Sequence, residues 1–122
     1  MKKVITILFF FLLVFITNTY AQEFSRKDSL RGNLTPLRTC YDVTFYDLNV
    51  LIDEQEKSIK HSSNTIYFTV LSNFMSLQID LAANMEVLLV EFEGEKLDFA
   101  REFSAVYIYF NREIKKGEQL NV

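Results

Sequence analysis

The chain has 122 residues, of which 49% are hydrophobic and 24% are charged, with one proline and three glycines. This length suits a single domain, and the composition excludes collagen-like, low-complexity and intrinsically disordered proteins. The 13 basic residues are fewer than the 16 acidic ones, so we expect no nucleic-acid partner. A single cysteine excludes an intrachain disulfide, and a single histidine excludes a metal site built on two histidines.

The N-terminal segment has the layout of an export signal. Two lysines precede an almost wholly apolar run at residues 4–16, and small or polar residues follow up to Ala21. These features predict a signal peptide over residues 1–21, cleaved between Ala21 and Gln22. A membrane anchor is the alternative, but it needs about 20 apolar residues, which is longer than this run. We therefore expect export to the periplasm or extracellular space of a bacterium, with no stable membrane anchor after cleavage.

Cleavage would leave a mature chain with 11 basic and 16 acidic residues, because the signal carries two lysines and no acidic residue. In residues 22–40, Gly32 and Pro36 interrupt a charged sequence, which predicts a lead-in segment with at most one helical turn. Residues 41–122 are predicted to form one β domain.

The start of this β domain alternates like a strand but changes phase once. Tyr41, Val43 and Phe45 are predicted to share one face. The opposite face is predicted to hold Tyr46, Leu48, Val50 and Ile52. Such a change of phase predicts a β-bulge near Phe45 and Tyr46.

Further strand patterns occur at residues 65–71, 77–81 and 105–110, between turns predicted at residues 53–57, 62–64, 72–73, 82–84, 93–95 and 111–117. The side chains predicted to point inward from the first and last of these strands are Ile66, Phe68, Val70, Val106, Ile108 and Phe110. Residues 85–92 fit a helix and a strand equally well. Short alternating runs between frequent breaks predict an all-β, mostly antiparallel fold, either a sandwich or an open sheet.

Reactive side chains are few, and none has partners at a spacing that predicts catalysis. His61 has no second ligand or base nearby in the sequence, and Cys40 is expected to be a buried free thiol. One acidic cluster lacks the spacing of a calcium loop and is expected to be solvated; it consists of Glu91, Glu93, Glu95 and Asp98. Strand tyrosines that would suit a sugar-stacking platform are expected to pack instead; they are Tyr41, Tyr67, Tyr107 and Tyr109. We predict no catalytic, cofactor-binding or metal-binding residue.

Several short motifs follow one another in a fixed order along the mature chain. They are Asp28-Ser29-Leu30-Arg31-Gly32, Leu34, Pro36, Arg38, Thr39-Cys40-Tyr41-Asp42-Val43, Tyr46-Asp47-Leu48-Asn49-Val50, Asp53, Asn64-Thr65-Ile66, Leu77-Gln78-Ile79-Asp80-Leu81 and Lys116-Gly117. This series, from about Asp28 to Val122, resembles the N-terminal domain of exported bacterial aminopeptidase N-type zinc metallopeptidases. The sequence departs from that family at residues 60–63, where the family has a glycine in the hairpin turn.

The resemblance implies a saddle-shaped, mostly antiparallel β domain, incomplete at its C-terminus, in which residues 85–92 form a strand. In that family the domain packs on a catalytic domain and helps to wall the peptide cleft. The family binds zinc through a His-Glu-x-x-His motif, which a chain with one histidine does not contain. The resemblance therefore implies a non-catalytic fragment of a secreted zinc aminopeptidase-like enzyme. The alternative is a stand-alone exported β-sheet module for binding or interaction.

The expected partner is the missing catalytic domain, on the same or a separate chain. Self-association is also expected, through an exposed sheet edge. The end of the chain, residues 120–122, is predicted to begin a strand that pairs near residues 105–110. A strand cut short there would leave the uncharged residues 105–110 partly unpaired and open to another chain.

Overall fold

The computed structural model describes residues 25–122, which begin with two short helices, α1 (Arg26–Gly32) and α2 (Pro36–Thr39). α1 starts with a capping box, in which the side chains of Ser25 and Asp28 each accept a hydrogen bond from the other residue's amide. The expectation of at most one helical turn is wrong, because this cap supports a helix of seven residues. α2 ends at Thr39, and the first strand begins two residues later at Tyr41.

Eight strands make up the rest of the described fold. They are β1 (Tyr41–Asp53), β2 (Ser58–Val70), β3 (Phe74–Asp80), β4 (Glu91–Phe92), β5 (Glu95–Lys96), β6 (Asp98–Glu102), β7 (Ala105–Ile114) and β8 (Gln119–Asn121). They form two three-stranded sheets, ordered β1-β2-β8 and β3-β7-β6, and a small hairpin of β4 and β5. Every paired strand runs antiparallel. This confirms the prediction of a mostly antiparallel all-β fold.

The two sheets share one buried cluster of apolar side chains. It includes all six side chains predicted to point inward, namely Ile66, Phe68, Val70, Val106, Ile108 and Phe110. Phe92 enters the cluster from the β4–β5 hairpin and meets the Phe110 ring edge-on, with 4.9 Å between ring centroids. The hairpin turn is the one predicted at residues 93–95, and Glu93 and Gly94 both adopt positive φ there.

The predicted bulge is present, one residue earlier than expected. The β1–β2 register shifts between Val43 and Phe45, which leaves Thr44 as the extra residue. Phe45 lies opposite Tyr67 rather than on the inner face with Val43, so its predicted face is wrong. Beyond the shift Tyr46 lies opposite Ile66, on the same inner face as Val43. The prediction that Tyr46 and its alternate residues lie on the opposite face from Tyr41 and Val43 is therefore wrong, because the extra residue brings them back to the inner face.

Two predicted turns are wrong because strands continue through them. Residues 62–64 belong to β2, where no side chain between His61 and Asn64 is buried and polar residues meet water on both faces. The segment predicted as a turn from Asn111 begins inside β7, which runs on to the buried Ile114. The turn itself is confined to residues 115–118.

Residues 85–92 form a strand only at Glu91–Phe92, so the implied strand over the whole segment is wrong. Its only strand partner among the described residues is β5, which has two residues, and the Val90 carbonyl beside this pair accepts from the Leu97 amide. The loop before the segment is held by Arg101, whose guanidinium donates to the carbonyls of Leu81, Ala82 and Met85.

The last strand pairs with β2 and not with the segment predicted for it. Leu120 lies opposite Phe68, and Gly117, at φ 91°, turns the chain from β7 across to the other sheet. β7 is the central strand of its own sheet, between β3 and β6. The prediction that residues 105–110 leave an open edge is therefore wrong.

Candidate functional site: the β1–β2 arm

The most distinctive surface is the far part of the β1–β2 hairpin. We call residues 45–65 the arm: it comprises β1 from Phe45, the turn at residues 54–57, and β2 up to Thr65. None of its residues is buried, whereas the next residue of β2, Ile66, is 7% exposed and belongs to the core. β8 lies opposite β2 only from Tyr67 to Thr69. The arm therefore extends beyond the region where the two sheets cover each other.

One face of the arm continues the inner face of the sheet; it is apolar along β1, while Asn64 of β2 lies opposite Leu48. Cross-strand partners share a face, and Tyr46 lies opposite the core residue Ile66, while Ile52 lies opposite Ile59. The exposed apolar side chains of this face are Tyr46, Leu48, Val50, Ile52 and Ile59. Leu48 is 64% exposed and Ile52 is 66% exposed, although the same alternation buries Phe68 to 1% in the core that the two sheets share. Exposed apolar patches of this kind mark surfaces that contact another protein or membrane.

The opposite face of the arm is mixed. Asp47, Asn49 and Thr65 give it polar character, and Phe45 packs beside Tyr67 with 5.7 Å between ring centroids. Leu51, opposite Lys60, is a further exposed apolar side chain on this face. The two faces therefore differ most along β1, where one is wholly apolar and the other mixes polar and apolar side chains.

The tip of the arm is held by a local network of charged side chains. The Asp53 carboxylate accepts from the amides of Gln55 and Glu56, and the Lys60 ammonium contacts the carboxylates of Asp53 and Glu56. The Glu56 amide, together with Lys60, lowers the pKa of Asp53. These contacts fix the turn between the two strands and keep its charges at the tip, away from the apolar face.

His61 lies on the arm at a second irregularity. Between Asn49 and Leu51 the register of β1 advances two residues while β2 advances three, and His61 there has φ 44°. Its side chain is exposed. The structure therefore places the only histidine at a bulge and not within a group of catalytic side chains.

Cys40 is buried, as predicted from its position at the strand entrance. It caps α2, and its thiol donates to the Leu37 carbonyl across 3.6 Å. Burial raises the pKa of the Cys40 thiol. A raised pKa disfavours the thiolate, which is the nucleophilic form.

The acidic cluster at residues 91–98 is divided among separate partners. Glu93 pairs with Arg112, which also pairs with Glu118 and lies 5.4 Å above the centre of the Phe92 ring. Both carboxylates raise the pKa of Arg112, and Arg112 is the main cause of the lowered pKa of Glu118. Glu95 instead accepts from Asn111. Within residues 25–122, no three His, Cys, Asp or Glu side chains are grouped to hold a metal ion.

The four tyrosines considered as a platform lie on different surfaces. Tyr41 donates its hydroxyl hydrogen to the Gln78 carbonyl between the sheets, at 2.7 Å. Tyr67 belongs to β2, while Tyr107 and Tyr109 belong to β7 in the other sheet. They do not form one flat surface.

The predicted cleavage position, Ala21–Gln22, lies outside the described residues. In residues 25–122 neither helix has the length and apolar content to cross a bilayer. The arm itself was not predicted, although its apolar alternation was, because alternation alone does not tell whether a second layer covers the face. The length of the first alternating run was a usable signal, since the pattern spans residues 41–52 and strands average about five or six residues.

No protein-family model, curated protein or solved structure matches the chain.

Proposed function

We propose that this chain is a non-catalytic β domain that acts by docking, and that its partner is the catalytic domain of an exported zinc aminopeptidase-like metallopeptidase. The observation that carries the docking role is the arm, whose apolar face continues the core face of the sheet into solvent. Burying an exposed valine, leucine or isoleucine side chain contributes roughly 1.5–3 kcal/mol, so the four such residues of this face, with Tyr46 beside them, suit a permanent contact with another domain.

The choice of partner is supported by the ordered motifs from Asp28 to Lys116-Gly117 that resemble the N-terminal domain of that enzyme family. In this proposal the two sheets belong to a larger saddle-shaped domain, and further strands add to it beyond Val122. The backbone of Val122 is bonded to Ile66, and β2 beyond Ile66 has no β8 residue beside it in the described chain. A continuation of β8 would run along this part of β2.

Zinc chemistry is not assigned to residues of this chain. The family's motif needs two histidines four residues apart with a glutamate between them, and the sequence has His61 alone. His61 lies on the arm, with no acidic side chain among its immediate neighbours in the sequence. The ligands and the general base would come from the catalytic domain, on the same or a separate chain.

The gene downstream of the Val122 codon tests the proposal directly. We expect a reading frame that continues, or resumes after an interruption, with a His-Glu-x-x-His motif and a later glutamate. A stop codon followed by an unrelated gene would contradict the proposal and favour a stand-alone interaction module.

Export is part of the same proposal, because the predicted signal peptide directs the domain to the compartment of the enzyme. N-terminal sequencing of the exported protein should begin at Gln22. A protein that retains residues 1–21 in a membrane fraction would contradict this.

A further inference from the structure

β1 has a long open edge. It pairs with β2 on one side and, within residues 25–122, with no strand on the other. Its 13 residues contain no proline. From Phe45 to Ile52 the only charged side chain is Asp47, and the strand ends at Asp53. Open edges that are long and apolar pair readily with another strand.

The backbone groups that face this edge are identified by the hydrogen bonds of β2. The amide and carbonyl of Ile66 are both bonded to Val122, on the side of β2 away from β1. The pair Tyr46–Ile66 is therefore a non-hydrogen-bonded pair, and the amide and carbonyl of Tyr46 point to the open edge. The Leu51 amide, by contrast, points toward β2, where it donates to the side-chain hydroxyl of Ser62. Because these directions alternate along a strand, the even-numbered residues from Tyr46 to Ile52 present their backbone groups to the open edge.

We propose that a second copy of this chain pairs with the first through β1, antiparallel, across a two-fold axis at Leu48. In this register Leu48 lies opposite its own copy and Tyr46 lies opposite Val50. On the other face Asp47 lies opposite Asn49 and Phe45 lies opposite Leu51. Apolar side chains thus meet apolar side chains on both faces, and the one acid of the segment meets an amide.

The neighbouring registers are less favourable. An axis at Asp47 places two aspartates opposite each other, and like charges directly opposite are destabilising. An axis at Asn49 places Asp47 against Leu51 and Asp53 against Phe45. Charge and polarity therefore select the axis at Leu48.

The other exposed edge of the arm is less suited to pairing. In β2 the extra residue near His61, with its positive φ, interrupts the regular ladder. Bulges twist a strand edge away from new partners. When β1 pairs with β1 of a second copy, both copies use the same edge and the assembly stops at two chains. When β1 pairs with β2 of a second copy, each end of the assembly keeps an open edge to which further copies can add. A dimer, and not a fibre, is the expected product.

This inference does not rest on the proposed function. Edge pairing uses the backbone of β1 and leaves the apolar face of the arm accessible. Two paired arms would present one continuous apolar face, formed from two copies of Tyr46, Leu48, Val50 and Ile52, to a docking domain. A dimer could therefore form whether or not the downstream gene encodes an enzyme.

The test uses opposite charges at the axis. We would measure the mass of the exported chain by sedimentation and light scattering over a range of concentrations, for the unchanged chain, Leu48→Lys and Leu48→Glu. The unchanged chain should be a dimer, and each variant alone should dimerise at least about tenfold more weakly, which corresponds to about 1.4 kcal/mol. An equimolar mixture of the two variants should recover the dimer, because lysine then lies opposite glutamate.

Leu89→Lys is the matched control, since Leu89 is an exposed leucine outside the arm, and it should dimerise like the unchanged chain. Near-ultraviolet circular dichroism verifies that all variants are folded. A monomeric unchanged chain, equal weakening by Leu89→Lys, or a mixture that stays monomeric would each overturn the proposal. Leu48→Pro adds a second test, because it removes an amide that points to the open edge and bonds nothing in β2; a dimer that tolerates it is not paired through β1.

Discussion

The Tyr41 hydroxyl donates to the Gln78 carbonyl across 2.7 Å, and this bond joins the first strand of one sheet to the first strand of the other. The Tyr41 ring also packs edge-on against the buried Phe68, with 5.6 Å between centroids. Near this junction Arg38 of α2 forms an ion pair with Asp80 at the end of β3. The base of the arm is therefore tied to both sheets, while its far end is free to make contacts.

The junction predicts a loss of stability at alkaline pH. Burial raises the pKa of Tyr41 from 10.0 to about 12. Tyr41 loses its proton at a lower pH in the unfolded chain than in the folded chain. The contribution of the neutral Tyr41 side chain to the free energy of unfolding is therefore complete below pH 10 and is lost as the pH rises to about 12.

Tyr41→Phe removes this ionisation and the hydrogen bond together. At neutral pH it should cost about 1 kcal/mol in the free energy of unfolding, measured with denaturant. Between pH 10 and 12 its stability should fall less steeply than that of the unchanged chain. Equal slopes for the two proteins would show that Tyr41 does not titrate as inferred. Tyr109→Phe, at an exposed position, is the control and should change neither quantity.

Arg101 is expected to hold the loop that follows β3. Its guanidinium donates to the carbonyls of Leu81 and Ala82 at 3.1 and 2.7 Å, and also to those of Met85 and Phe103. Arg101→Ala should increase proteolytic cleavage within residues 81–90, because these acceptors lose their donor. Arg101→Lys should give little rescue, since one ammonium does not reproduce the planar fork of a guanidinium. If lysine restores full resistance to protease, positive charge and not the fork holds the loop.

Two leucines should respond very differently to the same substitution. Leu77 is 0% exposed in the core, and Leu77→Ala should lower the free energy of unfolding by about 2–5 kcal/mol. Leu48 is 64% exposed on the arm, and Leu48→Ala should have an effect within about 0.5 kcal/mol when measured at concentrations where the chain is monomeric. A large loss for Leu48→Ala in the monomer would mean that the arm folds back onto the domain.

Much of the fold was readable because it follows local alternation. Ile66, Phe68 and Val70 point inward as their spacing predicts, and the Glu93-Gly94 turn lies where the sequence places it. The strand changes phase at Thr44 because the bulge absorbs one residue, which a pattern detects only after the alternation resumes at Tyr46.

The rest depends on contacts between residues distant in sequence. No local pattern shows that Arg101, from β6, will satisfy the carbonyls around Ala82 in the loop after β3. The partner of β8 likewise depends on where the Gly117 turn delivers the chain. The arm is the clearest case: Leu48 and Phe68 occupy equivalent positions in an alternating pattern, yet only Phe68 has a second sheet above it.

The size and zinc content of the native protein test the central claim most directly. An antibody raised against the described domain would be used to detect and purify the exported protein from the cells that produce it. Our account predicts that this domain is recovered with a catalytic domain, as a polypeptide or complex of several hundred residues that contains zinc and releases N-terminal amino acids from peptides. Recovery of the mature chain without a catalytic domain, zinc or peptidase activity, whether as a monomer or as the β1-paired dimer, would contradict the proposed enzyme partner.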